Sequence, residues 1–512
     1  LLKKLKKDRK FIIIAADKNL GPCIMDIELY ITRCLKDHLN KADTYEEVTE
    51  MDALLIQEDN FRWICKRFID TTNEISDFDR KFFKETLIGE RDATNRQHLK
   101  ERISFAYFYA MPKMHKNPWA TRPVVSGVSS VMEPLSKWLD VQLQRIVHLC
   151  PCYLKDSWHF LNDIKKLGRT MKGYKLIISD ANAMYTNINT DHAIETLRKW
   201  FEQHNNDLPN DFNTELILKG IERLMKHNVF TFGNRFFLQK NGTAMGTNVA
   251  CMYATIYYSY HEENDLLHLS YIKFYRRLID DAFIIVEDTP DIHQKVSKDM
   301  DEFGPEGKRL TWKTEQPKET VDFLDLTITI KHDGTIHTRT FQKKNNPHLY
   351  RTPSSAQPAS IIKAFIFGAL HRYFWQNSDQ DDFDYYVKEL IQHLLDRGHK
   401  HSSLAALFMD AGLKVSKSKM PNPSLSKSTK SKEIDRNLLI LHLPYHPNNP
   451  TKTDLRTMTE NFRISLNKNP KIQIDRILTS YNKAPNIGEI CKKHRLEPTI
   501  NTNQTTAPSL LH

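Results

Sequence analysis

The order of apolar and polar positions predicts a chain that mixes strands and helices. Short apolar runs bounded by turn residues predict strands, and apolar residues spaced three and four apart predict helices that bury one face. Strands are predicted within FIIIAADKNLGPCIMD (11–26), FAYFYAM (105–111) and YKLIISD (174–180), and helices over 28–40, 133–149 and 191–202. Residues 41–103 have a mostly helical, charged pattern. The pattern indicates an α+β fold without internal repeats.

Two adjacent aspartates, Asp280 and Asp281, interrupt the apolar segment FYRRLIDDAFIIV (274–286). An ordinary hairpin tip would explain them, since aspartate is a common turn residue between two strands. A metal site would explain them too, because carboxylates on a rigid strand turn suit a Mg²⁺ ion that keeps positions open for substrate phosphates. A further carboxylate elsewhere in the chain would favour the metal site.

A third aspartate, Asp180, ends the apolar strand of YKLIISDANAMYTNI (174–188). Its side chain would emerge at a sheet edge, although capping the next helix is a simpler role for an aspartate there. Tyr185 follows shortly after. A polymerase needs an aspartate at a strand end to bind metal, and an aromatic ring near it to pack under the incoming sugar and exclude a 2′-hydroxyl. Asp180 and Tyr185 together therefore favour a nucleotide site.

A glycine-containing segment, LQKNGTAMGTNVACMYATIYYSYHE (238–262), separates the two aspartate segments and runs into an aromatic helix. Gly242 and Gly246 would let the backbone approach a ligand closely, or would simply form the turn into the helix. The chain thus has a strand with Asp180, then a glycine loop and helix, then a hairpin with an aspartate pair. That order is the one found in palm-type polymerases.

Composition indicates a soluble intracellular protein. With 512 residues, 40% of them hydrophobic, the chain can divide a large core among several subdomains. The longest apolar runs, such as FIIIAA (11–16), are far shorter than the roughly 20 residues of a membrane helix, and no signal-peptide pattern opens the chain. The seven cysteines form no short-spaced framework, which fits a reducing compartment. A zinc site at Cys150, Cys152 and the neighbouring histidines is disfavoured, because Cys-Pro-Cys is not the usual ligand spacing.

Positive charge is concentrated at the two ends of the chain. The net charge is +11; residues 411–512 hold 17 Lys/Arg against 7 Asp/Glu, a net of +10, and residues 1–10 hold 6 against 1, a net of +5. The middle is therefore slightly acidic. This distribution suits flanks that hold nucleic-acid phosphates while carboxylates work between them, although a solvated basic tail would give the same composition.

Taken in order, these segments resemble the motifs of reverse transcriptases, and most closely those of Penelope-like retroelements. The resemblance covers an upstream Asp-Lys-Gly segment, a fingers segment, the first metal-binding motif, the glycine motif, the Tyr-x-Asp-Asp motif, the strand after it and the thumb. The matching stretches are AADKNLG (15–21), MPKMHKNPWATRPVVSG (111–127), SDANAMYTNI (179–188), GTAMGTNVACMYA (242–254), YRRLIDDAF (275–283), VDFLDLTI (321–328) and HLLDRGH (393–399).

The resemblance implies a right-hand polymerase. Its fingers and N-terminal region would be residues 1–170, its palm with the catalytic aspartates 171–335, its helical thumb 336–410, and a basic linker and connector extension 411–512. It further implies an RNA-directed DNA polymerase of a retrotransposon, located in the nucleus, with no membrane partner. Such an enzyme extends a DNA primer on an RNA template with deoxynucleoside triphosphates.

The metal ligands follow from the motifs. Asp180 and Asp280 would bind two Mg²⁺ ions, or Mn²⁺ in their place, with Asp281 as a supporting carboxylate beside them. Two such ions, roughly 4 Å apart, activate the primer 3′-hydroxyl and stabilise the pyrophosphate leaving group.

The nucleotide ligands follow in the same way. Arg122 would grip the triphosphate in a bidentate manner, with Lys113 and Lys116 as point charges near it, although a solvated loop would carry the same residues. Tyr185 would pack under the sugar, and Gly246 would belong to the glycine loop at the nucleotide.

Departures from the family pattern leave alternatives open. Leu278 stands where the family usually has Tyr, and Gly246-Thr247-Asn248 replaces a loop that ends in Ser-Pro. Neither change touches a metal ligand. A catalytically impaired or domesticated nucleic-acid-binding protein is one alternative; a telomerase-like reverse transcriptase or an RNA-directed RNA polymerase is another.

The Gly-Ile-Tyr and Tyr-Ile-Gly tripeptides of the family's nuclease do not occur, so we expect the chain to use pre-existing 3′-ends.

Overall fold

Contacts along the chain define two compact units. The computed structural model describes residues 10–71, 75–87, 104–168, 171–344, 346–358, 360–418, 437–446, 448–450, 452–469 and 473–482. Of these, the first unit contains the residues up to 153 and those from 175 to 318, and the second contains 154–174 and the residues from 319 onward.

Strands and helices are numbered in chain order. The strands are β1 (Phe11–Ala15), β2 (Pro22–Asp26), β3 (Tyr45–Val48), β4 (Ala106–Lys113), β5 (Ala120–Ser126), β6 (Tyr174–Ala181), β7 (Val229–Phe232), β8 (Arg235–Gln239), β9 (Ile272–Leu278), β10 (Asp281–Glu287), β11 (Trp312–Thr314), β12 (Thr320–Phe323), β13 (Leu326–Ile330), β14 (Ile336–Thr340), β15 (Leu438–Pro444) and β16 (Arg476–Asn482). The helices are α1 (Ile27–Cys34), α2 (Glu50–Ile64), α3 (Asp77–Leu87), α4 (Glu133–Ile146), α5 (Ser157–Lys166), α6 (Met184–Asn187), α7 (Thr190–Gln203), α8 (Thr214–Lys226), α9 (Ala250–His261), α10 (Ile292–Asp301), α11 (Ser360–Gln376), α12 (Gln380–Asp396), α13 (His401–Val415) and α14 (Lys452–Leu466).

The first unit contains a four-stranded sheet in the order β11-β6-β10-β9. The middle strand β10 is buried from Ala282 to Val286, all at 0% exposure. A continuous apolar run of this kind is typical of a strand covered on both faces. Strand β10 begins at Asp281, and Asp280 comes directly before it. The aspartate pair is therefore at the start of a strand that is held in place by its burial.

Helices α4, α7, α8 and α9 form the main core of this unit. Helix α9 is buried along most of its length, α7 packs against α8 and α9, and α4 contacts the same two helices. The aromatic residues of α9 supply much of the buried area, with Tyr253 and Tyr258 both at 0% exposure. Burial of apolar area on this scale is the dominant stabilising contribution to the fold.

A second sheet of the first unit has the order β3-β8-β7-β4-β5, and β1 and β2 form a separate hairpin. Strands β4 and β5 are paired over their full length, from Tyr107–Ser126 to Lys113–Ala120. Because β5 is an edge strand, it tolerates Pro123, which lacks a backbone N–H for a further ladder. The basic, proline-punctuated segment of the sequence is thus partly a strand.

The second unit combines a three-stranded sheet, β12-β13-β14, with helices α11 to α13. The helices share a core that includes Ile366, Leu370, Leu390 and Leu394. Farther along the chain, β15 and β16 pair in parallel and are connected through α14. A parallel pair needs such a crossover because the second strand must start at the same end as the first.

The strands and helices predicted from the sequence agree with these elements, including the β9–β10 hairpin. The mostly helical prediction for 41–103 was wrong at β3, and β5 was not predicted as a strand. Parts of the predictions lie outside the described residues, namely the basic start of the chain before residue 10, residues 88–103, the polar linker over 419–436 and the connector after 482. The fingers, palm, thumb and extension boundaries stay predictions.

In the described part of the chain, every helix is too short or too polar to cross a membrane.

Candidate nucleotidyl-transfer site

The aspartate pair lies at a tight turn between β9 and β10. Leu278 pairs with Asp281, so Ile279 and Asp280 form a two-residue hairpin loop. Ile279 has a φ of +57°, a left-handed conformation that costs a β-branched residue on the order of 1–3 kcal/mol. Glycine or asparagine is the usual residue at such a position. The hairpin tip is therefore real, and it is strained.

The turn brings Asp280 to Asp180. Strands β6 and β10 are neighbours in the sheet, and the Ala181 backbone N–H donates to the Asp280 carbonyl at 2.8 Å. Burial raises the pKa of the Asp180 carboxyl, and the negative charge of Asp280 raises this pKa further. The helix-cap alternative for Asp180 is wrong, since Asp180 lies in β6 and α6 begins only at Met184.

This pair of carboxylates fits a divalent cation. The negative charge of Asp280 disfavours the ionised form of Asp180, and a cation between the two carboxylates would stabilise that form. Carboxylate oxygens are also the ligands that Mg²⁺ and Mn²⁺ prefer. Asp180 and Asp280 are thus the residues that could hold the metal, with Asp281 next to them on β10.

In the portion of the chain that the structure describes, three potential metal ligands lie close together: His337, Asp379 and Asp382. Their donor atoms are all within 4.8 Å of one another. The three predicted aspartates do not form such a set. The histidine cluster belongs to the second unit, where Asp379 and Asp382 lie at the start of α12 and stabilise its positive end. Lys331 Nζ lies 3.6 Å from Asp379. An ion-pair network explains this cluster without a metal.

Arg122 lies on β5, where it pairs bidentately with Asp17 of the hairpin turn after β1. Its Nε and Nη2 donate to Asp17 Oδ1 and Oδ2, both at 3.2 Å. Burial alone would raise the pKa of the Asp17 carboxyl, but the hydrogen bonds and charge of Arg122 outweigh burial and hold that pKa below its ordinary value. The guanidinium is therefore fixed in one orientation, with Nη1 outside these two bonds.

Three lysines surround this pair. Lys113 ends β4 and Lys116 follows it, while Lys18 adjoins Asp17 with a left-handed φ of +58°. Burial lowers the pKa of Lys113, and the nearby charges of Arg122, Lys116 and Lys18 lower it further. Crowded cations of this kind are stabilised by an anion with several charges, such as a triphosphate.

Cations of this group lie close enough to Asp180 to interact with its carboxylate electrostatically. The positive charges of Lys116 and Lys18 act on Asp180 and oppose the rise in its pKa, as does the charge of Lys313, which is paired with Asp180 across β6 and β11. Sequence reasoning assigned no role to Asp17, Lys18 or Lys313. The first two could have been noticed within AADKNLG, whereas Lys313 gave no sequence signal.

Tyr185 lies in the short helix α6, after β6. Its hydroxyl is 3.3 Å from Cys251 Sγ in α9, and burial, followed by this contact, raises the pKa of the phenol. The charges of Asp280 and Arg122 also act on the phenol in opposite directions. The ring is thus close to both the carboxylates and the cations.

The two loop glycines permit close contacts between backbone segments. A Cβ added to Gly242 would lie 2.5 Å from the Tyr185 carbonyl oxygen, and a Cβ on Gly246 would lie 2.5 Å from the Val125 carbonyl oxygen. Both glycines have positive φ. Gly246 therefore packs against β5, and any contribution to nucleotide binding would act through that strand and Arg122.

We expect Gly242→Ala to destabilise the protein by about 2–4 kcal/mol, because it adds a backbone clash to a left-handed conformation. The matched control is Gly233→Ala, which has a φ of +63° but no atom within 4 Å of the added Cβ. The control should cost only ~1 kcal/mol. Urea unfolding of both variants measures the difference, and equal losses would contradict the backbone contact at Tyr185.

Cys150 and Cys152 are buried free thiols in this unit. Burial raises the pKa of the Cys150 thiol to about 12, and burial likewise raises that of Cys152. Both thiols therefore remain protonated near neutral pH, and the sequence argument against a zinc site stays a prediction.

Comparison with solved structures identifies the fold. The chain is similar to telomerase from Candida albicans in complex with the TWJ fragment of telomeric RNA, with a TM-score of 0.53 and 11% identity, over 81% of this chain and 68% of that one. Telomerase from Candida tropicalis (TM-score 0.45, 10% identity, 80% of this chain and 66% of that one) and the Sicinivirus 3Dpol RNA dependent RNA polymerase (TM-score 0.40, 10% identity, 80% and 91%) are also similar. No protein-family model matches the chain, and neither does any curated protein.

The likeness to the Candida albicans telomerase shows that the chain shares the mixed α and β fold of that structure. This agrees with the coarse fold class predicted from the motif order. Nothing in the comparisons bears on the Penelope-like family.

Proposed function

We propose that the chain is an RNA-directed DNA polymerase that extends a primer 3′-end. The observation that supports this most is the placement of Asp180, near the end of β6, beside the turn that carries Asp280 before the neighbouring strand β10, with Asp180 within electrostatic reach of Lys18 and Lys116. Paired carboxylates for metal, next to a group of cations for phosphate, are the two requirements of nucleotidyl transfer.

Each part of the site would have a distinct role. Asp180 and Asp280 would hold the divalent ions, with Asp281 in support. When bound, such ions activate the attacking hydroxyl and stabilise charge on the leaving pyrophosphate. Lys113, Lys116 and Arg122 would hold the triphosphate. The protein thus would supply position and charge rather than a covalent intermediate.

Tyr185 supports a DNA product over an RNA product. Its ring lies where the charges of both Asp280 and Arg122 reach it, so it would lie beside the sugar of a nucleotide held between them. A 2′-hydroxyl would collide with the ring. The RNA template, the DNA primer, the retrotransposon origin and the Penelope-like assignment are proposed from the sequence motifs.

Primer extension with purified protein tests the proposal. Four reactions combine an RNA or a DNA template with deoxynucleotides or ribonucleotides, each with Mg²⁺, Mn²⁺ or EDTA. We expect metal-dependent synthesis of DNA on the RNA template. Ribonucleotide incorporation instead would indicate an RNA-directed RNA polymerase, and template binding without synthesis under any condition would indicate the second candidate below.

The second candidate is a nucleic-acid-binding protein without catalytic activity. Leu278 favours it, because this residue ends β9 beside the aspartate turn and lacks the hydroxyl that the reverse-transcriptase motif usually places there. The same assay separates the two candidates. Replacement Leu278→Tyr should raise activity if the missing hydroxyl is what limits it.

We expect Arg122→Lys to raise the KM for deoxynucleotides by about tenfold, since one amine could not keep both bonds to Asp17 and also donate a further bond to the triphosphate as Nη1 could. The kcat should change little. The matched control is Arg235→Lys, because Arg235 also pairs bidentately, with Glu47 on β3. Steady-state kinetics of both variants give the comparison, and a normal KM in Arg122→Lys would remove Arg122 from the nucleotide site.

A further inference from the structure

A fully buried ion pair lies next to the turn that carries Asp280. Arg277, near the end of β9, is 1% exposed, and Glu262, just after α9, is 0% exposed. Arg277 Nε and Nη2 donate to Glu262 Oε1 and Oε2 at 2.5 and 2.9 Å. The guanidinium also lies 5.1 Å from the centre of the Tyr258 ring.

Further donors of Arg277 bind backbone carbonyls. Nη2 donates to the Thr255 carbonyl in α9 at 2.9 Å, and Nη1 donates to the Ile279 carbonyl at 2.8 Å. The second bond connects the ion pair to the strained residue of the turn. Because a β-branched residue leaves the left-handed region unless its surroundings hold it there, this bond is a means of keeping Ile279 in place.

The turn is held on its other side by the strand of Asp180. The Ala181 N–H donates to the Asp280 carbonyl, so two consecutive peptide carbonyls are fixed, one by Arg277 and one by β6. A change in the turn would therefore alter the distance between the Asp180 and Asp280 carboxylates. Metal sites are sensitive to such changes because their ligands must be held in a narrow range of positions.

Stability alone does not require this ion pair. Buried ion pairs can often be replaced by apolar residues of similar volume without loss of stability, whereas removal of one partner leaves an uncompensated buried charge. Methionine and leucine would fill the same space, but neither could donate a hydrogen bond to the Ile279 carbonyl. The guanidinium is thus needed for its hydrogen bond.

We propose that Arg277, oriented by Glu262, is a positioning residue that holds the Ile279–Asp280 turn in the conformation that places Asp280 beside Asp180. The inference rests on the proposed polymerase function. It assigns no contact with substrate or metal to Arg277 itself.

The double variant Arg277→Met/Glu262→Leu separates positioning from stability. We expect its melting temperature to remain close to that of the wild type, its kcat to fall on the order of 10²-fold, and its half-saturating Mg²⁺ concentration to rise. The KM for deoxynucleotides should change by no more than about twofold, since the triphosphate ligands are untouched. Wild-type kcat and Mg²⁺ dependence in the folded double variant would overturn the proposal.

A single substitution covers the case in which the double variant does not fold. Arg277→Lys keeps a positive charge beside Glu262, but one amine cannot replace both the bidentate pair and the bond to Ile279. The same fall in kcat is expected. Full activity of this variant would contradict the role of the Nη1 bond.

Rescue by glycine gives a readout that a purely structural role would not affect. Glycine adopts positive φ without a Cβ penalty, so Ile279→Gly in the double-variant background should restore roughly tenfold in kcat by removing the strain that Arg277 offsets. No recovery in kcat would count against the proposed effect on the turn.

Backbone amide exchange tests the positioning independently of polymerase activity. The Ala181 amide, which binds the Asp280 carbonyl, should exchange faster in the double variant, while the Ile284 amide in the middle of β10 should not. If the wild type extends no primer, the proposed function fails, and the exchange rates still decide whether Arg277 holds the turn. An unchanged exchange rate of the Ala181 amide in the double variant would refute the proposal that Arg277 holds the turn.

Discussion

Replacing Asp180 or Asp280 with asparagine is expected to lower the rate of primer extension by at least about 10³-fold, because loss of a metal ligand removes several kcal/mol of transition-state stabilisation. Asparagine keeps the shape of the side chain but not its charge. Binding of the template–primer should stay within about twofold of the wild type, since the cations proposed to bind phosphate are unchanged. Single-turnover extension and fluorescence anisotropy measure the two quantities.

The control is Asp288→Asn, which lies just after the opposite end of β10, is about half exposed and pairs with Lys175. It should extend primers normally. Substantial synthesis by either Asp180→Asn or Asp280→Asn would remove these residues from the site. Equal losses in Asp288→Asn would indicate that any charge change in this hairpin disturbs the sheet.

The electrostatics of the pair also predict how Asp280→Asn affects stability. The folded-state pKa of Asp180 is raised by burial and by Asp280, so its ionisation opposes folding fully at pH values above that pKa. The opposition shrinks as the pH falls below the folded-state pKa and is gone below the lower pKa of the unfolded chain. Removing the charge of Asp280 should therefore not destabilise the metal-free protein at neutral pH. Thermal melts in EDTA and in Mg²⁺ check this, and Mg²⁺ should raise the melting temperature of the wild type only.

Tyr185→Ala should lower discrimination against ribonucleotides on the order of 10²-fold, since it opens the space that a 2′-hydroxyl would need. The ratio of kcat/KM for deoxynucleotides to that for ribonucleotides measures the effect. Incorporation of deoxynucleotides should fall less, because in the proposed site the ring would contribute packing under the sugar but no charge to the reaction.

The matched control is Tyr185→Phe, which keeps the ring and loses only the hydroxyl near Cys251. Its discrimination should equal that of the wild type. A Tyr185→Ala variant that still rejects ribonucleotides would show that another residue excludes the 2′-hydroxyl. Loss of discrimination in both variants would assign the effect to the hydroxyl contact with α9 instead of the ring.

The order of the motifs along the sequence indicated a polymerase more specifically than any single residue did. Each segment had an ordinary explanation, such as a hairpin tip for Asp280 or a helix cap for Asp180, and only their sequence of strand, loop, helix and hairpin pointed to a polymerase. The hairpin was predicted well because its signals are local: two apolar runs and turn-forming residues between them. Strand β5 was missed because Pro123 argues against a strand, and only the place of β5 at the sheet edge permits this proline.

The local elements, the polymerase-like order of motifs and the candidate site residues Asp180, Asp280 and Arg122 could all be predicted from the sequence alone. Periodicity and turn chemistry act over a few residues, so they can be read without a fold. Two contacts are visible only in the folded chain: Arg122 pairs with Asp17, which is 105 positions away, and Arg277 binds both Glu262 and the Ile279 carbonyl of the aspartate turn. Those contacts depend on which distant segments the core brings together, and no local pattern encodes that choice.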